Sequence, residues 1–321
     1  MRTPKPWQLP TQPARGADLL AGAVTHSMLE TQLRLGNLLR IRPGIYLDAA
    51  RWPEAKRGRH LVRAHAEQTA FPDSVISHGS AGLIWGLFEP FFADWAADLP
   101  SVTLPAGGGY RSRSRDAHHH VAALPPHHIS RDAAGYAVTS IARTAVDLAT
   151  GLELPQALIV LDSAARRLIE GMVVKPRRRE YADPRLKRAA IEAIDKVAAE
   201  RKSHRRVRGM LDCVDPRRES PAESLSVGHM HLEGLPIPEC QYRVVVNGRV
   251  YYLDFYWEEQ GVIGEVDGAG KYVDEAVVVD EKEREQLLRD TGSGMVRWLV
   301  KEIAVRPDEV MDRVRRELST H

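Results

Sequence analysis

A chain of 321 residues, 43% hydrophobic and 27% charged, has the size and composition of a soluble globular protein with two or three packed domains. Its net charge of +2 does not by itself imply a nucleic-acid partner, so any such role rests on where the basic residues cluster. No apolar run is long enough for a membrane span, and the two cysteines, Cys213 and Cys240, form no metal-ligand pair; so few point to a reduced, cytoplasmic chain.

In chain order, residues 1–18 read as a flexible basic arm, rich in proline and without the apolar core of a signal peptide. Residues 19–55 read as a small winged helix-turn-helix. Thr25 is placed as an N-cap, and Met28, Leu29, Leu33 and Leu35 follow near helical spacing. Gly36-Asn37 stops that helix, and "LLRIRPGIYLD" reads as a hairpin turning at Pro43-Gly44. Arg34, Arg40 and Arg42 fall on or beside helix and wing. They are either solvated arginines of a structural subdomain or contacts to DNA phosphates.

Residues 56–150 read as a mixed α+β domain, with helices over "GRHLVRAHAEQTA" and "SHGSAGLIWGL". "SVTLPAGGGYRSRSRDAHHHVAAL" reads as strand, loop, strand, with Arg111, Arg113 and Arg115 in an exposed basic loop. His118, His119 and His120 cannot all reach one metal from a strand, because successive side chains point to opposite faces. His78 reads as a hydrogen bonder at a helix start. Residues 151–213 read as a helical connector. Its basic clusters "KPRRRE" and "RKSHRRVR" suit a solvated face or a phosphate-backbone surface.

Residues 214–321 hold the strongest signal. Asn247-Gly248 between two β-rich runs marks a hairpin, and 258–261 reads as a four-residue loop into "VIGEVD", making an antiparallel meander. With Trp257 opposite Val262, Asp254 falls opposite Glu265, and Asp267 joins Glu265 on its face. Across the hairpin Gln241 falls opposite Asp254, and Tyr252, Tyr256 and Ile263 are assigned to the same face. A one-residue slip would scatter the group. Opposed like charges are destabilising, and a divalent cation with hard oxygen ligands, Mg²⁺ or Mn²⁺, offsets the repulsion. In "ESPAES", Ser220, Pro221 and Glu223 form a capping box, which accounts for Glu223 unless the helix start also points at the sheet acids. "VDEKEREQLLRDTG" reads as a helix in which Glu285 and Arg289 can pair, and "GMVRWLVKEI" begins as a last strand carrying Arg297 and Trp298.

These stretches, with "LDFYW", "GEVDGAGKY" and "PEC" followed by Gln241, resemble a family common in actinobacteria. Its members join an AbiEi-type antitoxin-like winged helix to a domain resembling very-short-patch-repair endonucleases and the restriction-endonuclease-like, PD-(D/E)XK, fold. "GNLLRIRPGIY" and "AVTSIARTAVDLA" carry the antitoxin-like part. The resemblance implies an α+β chain whose last domain is a mixed sheet flanked by helices. It assigns Asp254 as the first metal-binding aspartate, Glu265 as the second acidic ligand and Glu223 as the helix glutamate. The usual pattern ends in an acid, a spacer and a lysine; here Asp267 takes the lysine's place. Lys271 or Lys282 is then expected to supply the positive charge, and Asp267 to bind a second ion or orient water.

Two functions follow as expectations. One is Mg²⁺-dependent hydrolysis of DNA; the other is a non-catalytic, antitoxin-like regulator of a type IV toxin-antitoxin system, partnered by DNA, a toxin protein or a second copy. A purely structural scaffold is disfavoured by the acids.

Overall fold

The computed structural model describes residues 7–22, 24–107, 114–201, 204–246, 248–268 and 293–320. The chain is α+β, with helices and three sheets among the described residues. It divides into two compact units. One comprises residues 1–87 and 93–144, the other residues 88–92 and 145–321. The winged-helix segment and most of the middle segment predicted from sequence, residues 56–87 and 93–144, therefore share the first unit. The helical segment 151–213 and the domain 214–321 pack together in the second.

In the first unit, β1 (Ala14–Arg15) and α1 (Gly16–Ala21) precede α2 (His26–Arg34). Thr25 caps α2 as expected, its Oγ1 accepting from the Met28 amide at 3.3 Å. Gly36 and Gly44 have φ of +75° and +80°, the left-handed conformation that ends the helix and turns the hairpin. That hairpin joins β2 (Leu38–Arg42) to β3 (Ile45–Asp48), and β1 completes a three-stranded sheet in the order β1-β3-β2. Of the predicted apolar stripe only Leu29 is buried, while Leu35, at the C-cap, is exposed.

α3 (Lys56–Ala70), β4 (Val75–Ile76), α4 (His78–Trp85), β5 (Ser101–Pro105), β6 (His118–Ala122), β7 (Ile129–Arg131) and β8 (Ala137–Thr139) follow. The five strands form a mixed sheet, β6-β5-β4-β8-β7, around Ala64, Ile76, Ala81, Val102 and Val138. The three adjacent histidines go to three different partners. His118 meets Asp98, His119 meets Glu67, and His120 stacks on His78 with centroids 3.5 Å apart. His78 also contacts the Ser77 hydroxyl at 3.0 Å. Of the predicted basic loop, Arg111 and Arg113 lie outside the described residues.

α5 (Ile141–Ala149) carries the division between the units. In the second unit, α6 (Leu154–Met172), α7 (Arg178–Tyr181), α8 (Pro184–Ala199) and α9 (His204–Arg208) lead to α10 (Pro221–Leu232). α6 and α10 approach so closely that a Cβ on Gly228 would stand 2.3 Å from the Pro155 Cα. Then come β9 (Glu239–Val246), β10 (Arg249–Trp257), β11 (Val262–Asp267), β12 (Gly294–Leu299), α11 (Val300–Val305) and α12 (Pro307–Thr320). The sheet order is β12-β11-β10-β9. β9, β10 and β11 form the antiparallel meander, and β12 runs parallel to β11. The predicted helix over residues 279–292, with Glu285 and Arg289, lies outside the described residues.

One sheet face meets α10, α11 and α12 around Phe255, Trp257, Trp298, Leu225 and Met311, and Ile159 of α6 joins the same core. Phe255 and Trp298 stack with centroids 5.5 Å apart, and the Trp298 indole N–H donates to the Ser226 hydroxyl at 3.0 Å.

Candidate functional site: a carboxylate cluster at the start of α10

The predicted register holds as far as Phe255, and the expected Asp254–Glu265 pair is not among the strand pairs of the described residues. Trp257 pairs with Val262, Tyr256 with Ile263 and Phe255 with Gly264. Across the hairpin Leu253 pairs with Tyr242 and Phe255 with Cys240. Between those two pairs the ladder is irregular: Gln241 takes a φ of +53°, rare for a residue with a side chain. The face alternation switches there. Leu253 packs with Ile263, Tyr256, Tyr242 and Val244, while Phe255 and Cys240, two residues along, join the opposite core. This corrects the expected single face. Tyr252 does not share a side with Tyr256 and Ile263, because strict alternation fails at Gln241–Asp254.

The irregularity delivers Asp254 to its partners. Its Oδ2 accepts from the Val266 amide of β11 at 3.0 Å, where a regular ladder would use a backbone carbonyl. Its Oδ1 lies 3.4 Å from the Gln241 side-chain amide. The same amide donates to Glu223 Oε2 at 3.0 Å. Gln241 thus bridges a helix glutamate and a strand aspartate. Glu265, the residue before Val266, is 3% exposed and sits on the side of β11 that carries Ile263, opposite Gly264 and Val266.

Glu223 has a second task, as its position in the sequence implies. Ser220 caps α10 by accepting from the Glu223 amide at 3.2 Å. The Glu223 carboxylate does not close the capping box on Ser220. It accepts instead from the Glu219 amide at 3.0 Å, one residue earlier, and from Gln241. The helix start therefore does point at the sheet acids. Burial, and then the charge of Asp254, push the Glu223 carboxyl up to about 7.

Asp267 is placed differently. Its two carboxylate oxygens take both arms of Arg297 on β12, at 2.7 and 3.0 Å. Its charge is compensated within the protein, so a cation is not needed to hold it. Arg297 is the site residue that sequence reasoning missed: it lies 30 positions from Asp267 and reaches it only because β12 runs parallel beside β11. Lys271 and Lys282 lie outside the described residues.

The predicted DNA contacts belong to the other unit. Arg34 and Arg40 are exposed, at the last turn of α2 and on β2. Arg42 departs from its expected role. It pairs with the buried Glu67, which also holds His119 at 2.6 Å, and its guanidinium lies over the Phe71 ring. A cation committed to a buried carboxylate is a structural element of that unit, not a spare phosphate contact.

No family model matches the chain. Two uncharacterized proteins from two strains of Mycobacterium tuberculosis are similar to it. Each is 27% identical over 302 residues, covering 92% of this chain and 97% of the relative. Among the described residues no helix is long and apolar enough to cross a membrane.

Proposed function

We propose that the second unit is a metal-dependent phosphodiesterase acting on DNA, and that Glu223, Asp254 and Glu265 are its acidic centre. The observation that carries this reading is the Gln241 bridge, which gathers a buried helix glutamate and a strand aspartate although their charges oppose one another. Such a pair is costly unless a proton or a cation relieves it. Carboxylate oxygens of this kind fit a hard divalent ion, Mg²⁺ or Mn²⁺, with Asp254 as the holding residue and Glu265, the neighbour of the Val266 whose amide Asp254 accepts, as the expected second ligand. When bound, that ion supplies Lewis acidity toward a phosphoryl oxygen and a water acidified toward neutrality. Glu223, with its raised carboxyl, is suited to exchange a proton near neutral pH. Gln241 orients both carboxylates. The likeness of "LDFYW" and "GEVDGAGKY" to nuclease-like domains supports the same reading.

A second reading has its own observation. Asp267 stands where the usual pattern has a lysine, and it is neutralised by Arg297. On that reading the unit is a non-catalytic, antitoxin-like regulator that binds DNA or a partner protein. Incubation of supercoiled plasmid with Mg²⁺ or Mn²⁺ separates the two. The hydrolase nicks or linearises the plasmid and Asp254→Ala abolishes this; intact plasmid with retained DNA binding favours the regulator.

A further inference from the structure

Beside the acids, and within the same unit, lies a cavity of about 170 Å³ lined by Arg166, Arg178, Arg179, Arg217 and Arg243. That is room for about five water molecules, and so for a phosphate with its ester oxygens. Among the described residues Glu219 is the one carboxylate in its wall, and Gln241, which bridges Glu223 and Asp254, closes the side toward the acids.

The five arginines are not equally available. Arg217 is held by Asp215 at 2.9 Å, Arg178 by Glu219 at 2.8 Å and Arg179 by Glu180 at 2.5 Å. Arg166 donates to the Pro216 carbonyl at 2.7 Å and lies 4.0 Å from the Tyr181 ring centroid. Arg178 lies 4.1 Å from the Tyr252 ring centroid. Those rings fix the guanidinium planes before any ligand arrives. Arg243, exposed and opposite Tyr252 in the β9–β10 register, has no ion pair among the described residues, and Arg166 has none to a carboxylate.

Resting on the phosphodiesterase reading, we infer that this cavity is a phosphate subsite that seats one phosphate of the DNA strand beside the carboxylates, with Arg243 and Arg166 supplying the uncompensated positive charge. A run of arginines with aromatic backing and one carboxylate suits a tetrahedral anion better than a neutral base. The phosphate is either a strand terminus or an internal diester; both present the same anionic oxygens.

The test is anisotropy of a labelled single-stranded oligonucleotide carrying a 5′-phosphate or a 5′-hydroxyl. Full-length protein is used in chelator, so that no cleavage occurs, over a salt series. Arg243→Ala is expected to weaken binding roughly five- to tenfold and to lower the salt slope by about 0.7, the contribution of one phosphate contact on a single strand. Arg243→Lys should keep the slope. Arg316→Ala, an exposed arginine on α12, serves as the control and should change affinity less than twofold. Loss confined to the 5′-phosphorylated strand assigns a terminal phosphate; equal loss with both strands assigns a backbone diester. An Arg243→Ala effect no larger than that of Arg316→Ala overturns the subsite. Mn²⁺ titration of the same variants separates the two ideas. Arg243→Ala should leave ion binding intact. A phosphate effect without any ion binding would keep the subsite and remove the hydrolase.

Discussion

At the scale of single residues, Glu223 sets the pH behaviour of the site. Its carboxyl is pushed from 4.5 to about 7 by burial and by Asp254, so the folded metal-free chain holds a proton there that the unfolded chain has released. Stability from this group is therefore complete below pH ~4.5 and is lost as pH rises through about 7. The shift corresponds to roughly 3 kcal/mol in this buried position. Glu223→Gln should remove that decline, leaving a denaturation midpoint that is flatter across this range. An unchanged profile would mean that the carboxyl is not protonated when metal-free. The Gln241–Asp254 neighbourhood was legible in the sequence, because the Asn-Gly turn and the four-residue loop at 258–261 fix the register. Two other pairings were not. Asp267 meets Arg297, and Arg42 meets Glu67, through tertiary approach that no local spacing encodes.

Among the secondary-structure elements, α6 and α10 hold the acidic helix start in place. Gly228 lets α10 lie against Pro155 of α6. Gly228→Ala would gain about 1 kcal/mol of helix propensity, yet its methyl would collide with backbone. The net expectation is a loss of roughly 1–3 kcal/mol, read from chemical denaturation. A stabilised variant would contradict the close approach. A buried ion pair ties α6 to the segment that leads into α10. Asp162 of α6 takes Arg218 at 2.7 Å and the Asp215 amide at 2.8 Å, and both ionic side chains are nearly inaccessible. Asp162→Ala strands a buried guanidinium and should cost roughly 3–5 kcal/mol, whereas removing Arg218 as well should recover part of that loss. Equal losses from the single and double variants would show that the pair is not coupled. Helix α6 and the four described strands of the second unit were readable from periodicity and turn residues. The switch of faces in β9–β10 was not, since a glutamine with positive φ leaves no mark in composition.

For the whole molecule, one buried group in each unit should answer pH in opposite directions. His60 of the first unit is buried between Ser80 and the Asp98 carbonyl, and burial lowers its pKa below 6.5. A histidine held neutral in this way contributes stability above pH ~6.5 that is lost as pH falls. Glu223 works the other way in the second unit. His60→Gln should thus lessen the acid sensitivity of the first unit without moving the second; a shift in both would contradict independent titration. In the first unit the nucleic-acid reading now rests on Arg34 and Arg40, because Arg42 is held by Glu67. Removing both exposed arginines should flatten the salt dependence of duplex binding by nearly two counterions. An unchanged slope would take DNA contact away from that surface.

The most direct test of the acidic centre is calorimetric titration of Mn²⁺ into the metal-free full-length chain, above the pH at which Glu223 ionises. Wild-type protein should bind the ion, and Asp254→Ala should weaken binding roughly tenfold or more. Asp267→Asn should change it little, because Arg297 already satisfies that carboxylate. Equal Mn²⁺ binding by wild type and Asp254→Ala, or none by either, would contradict the account.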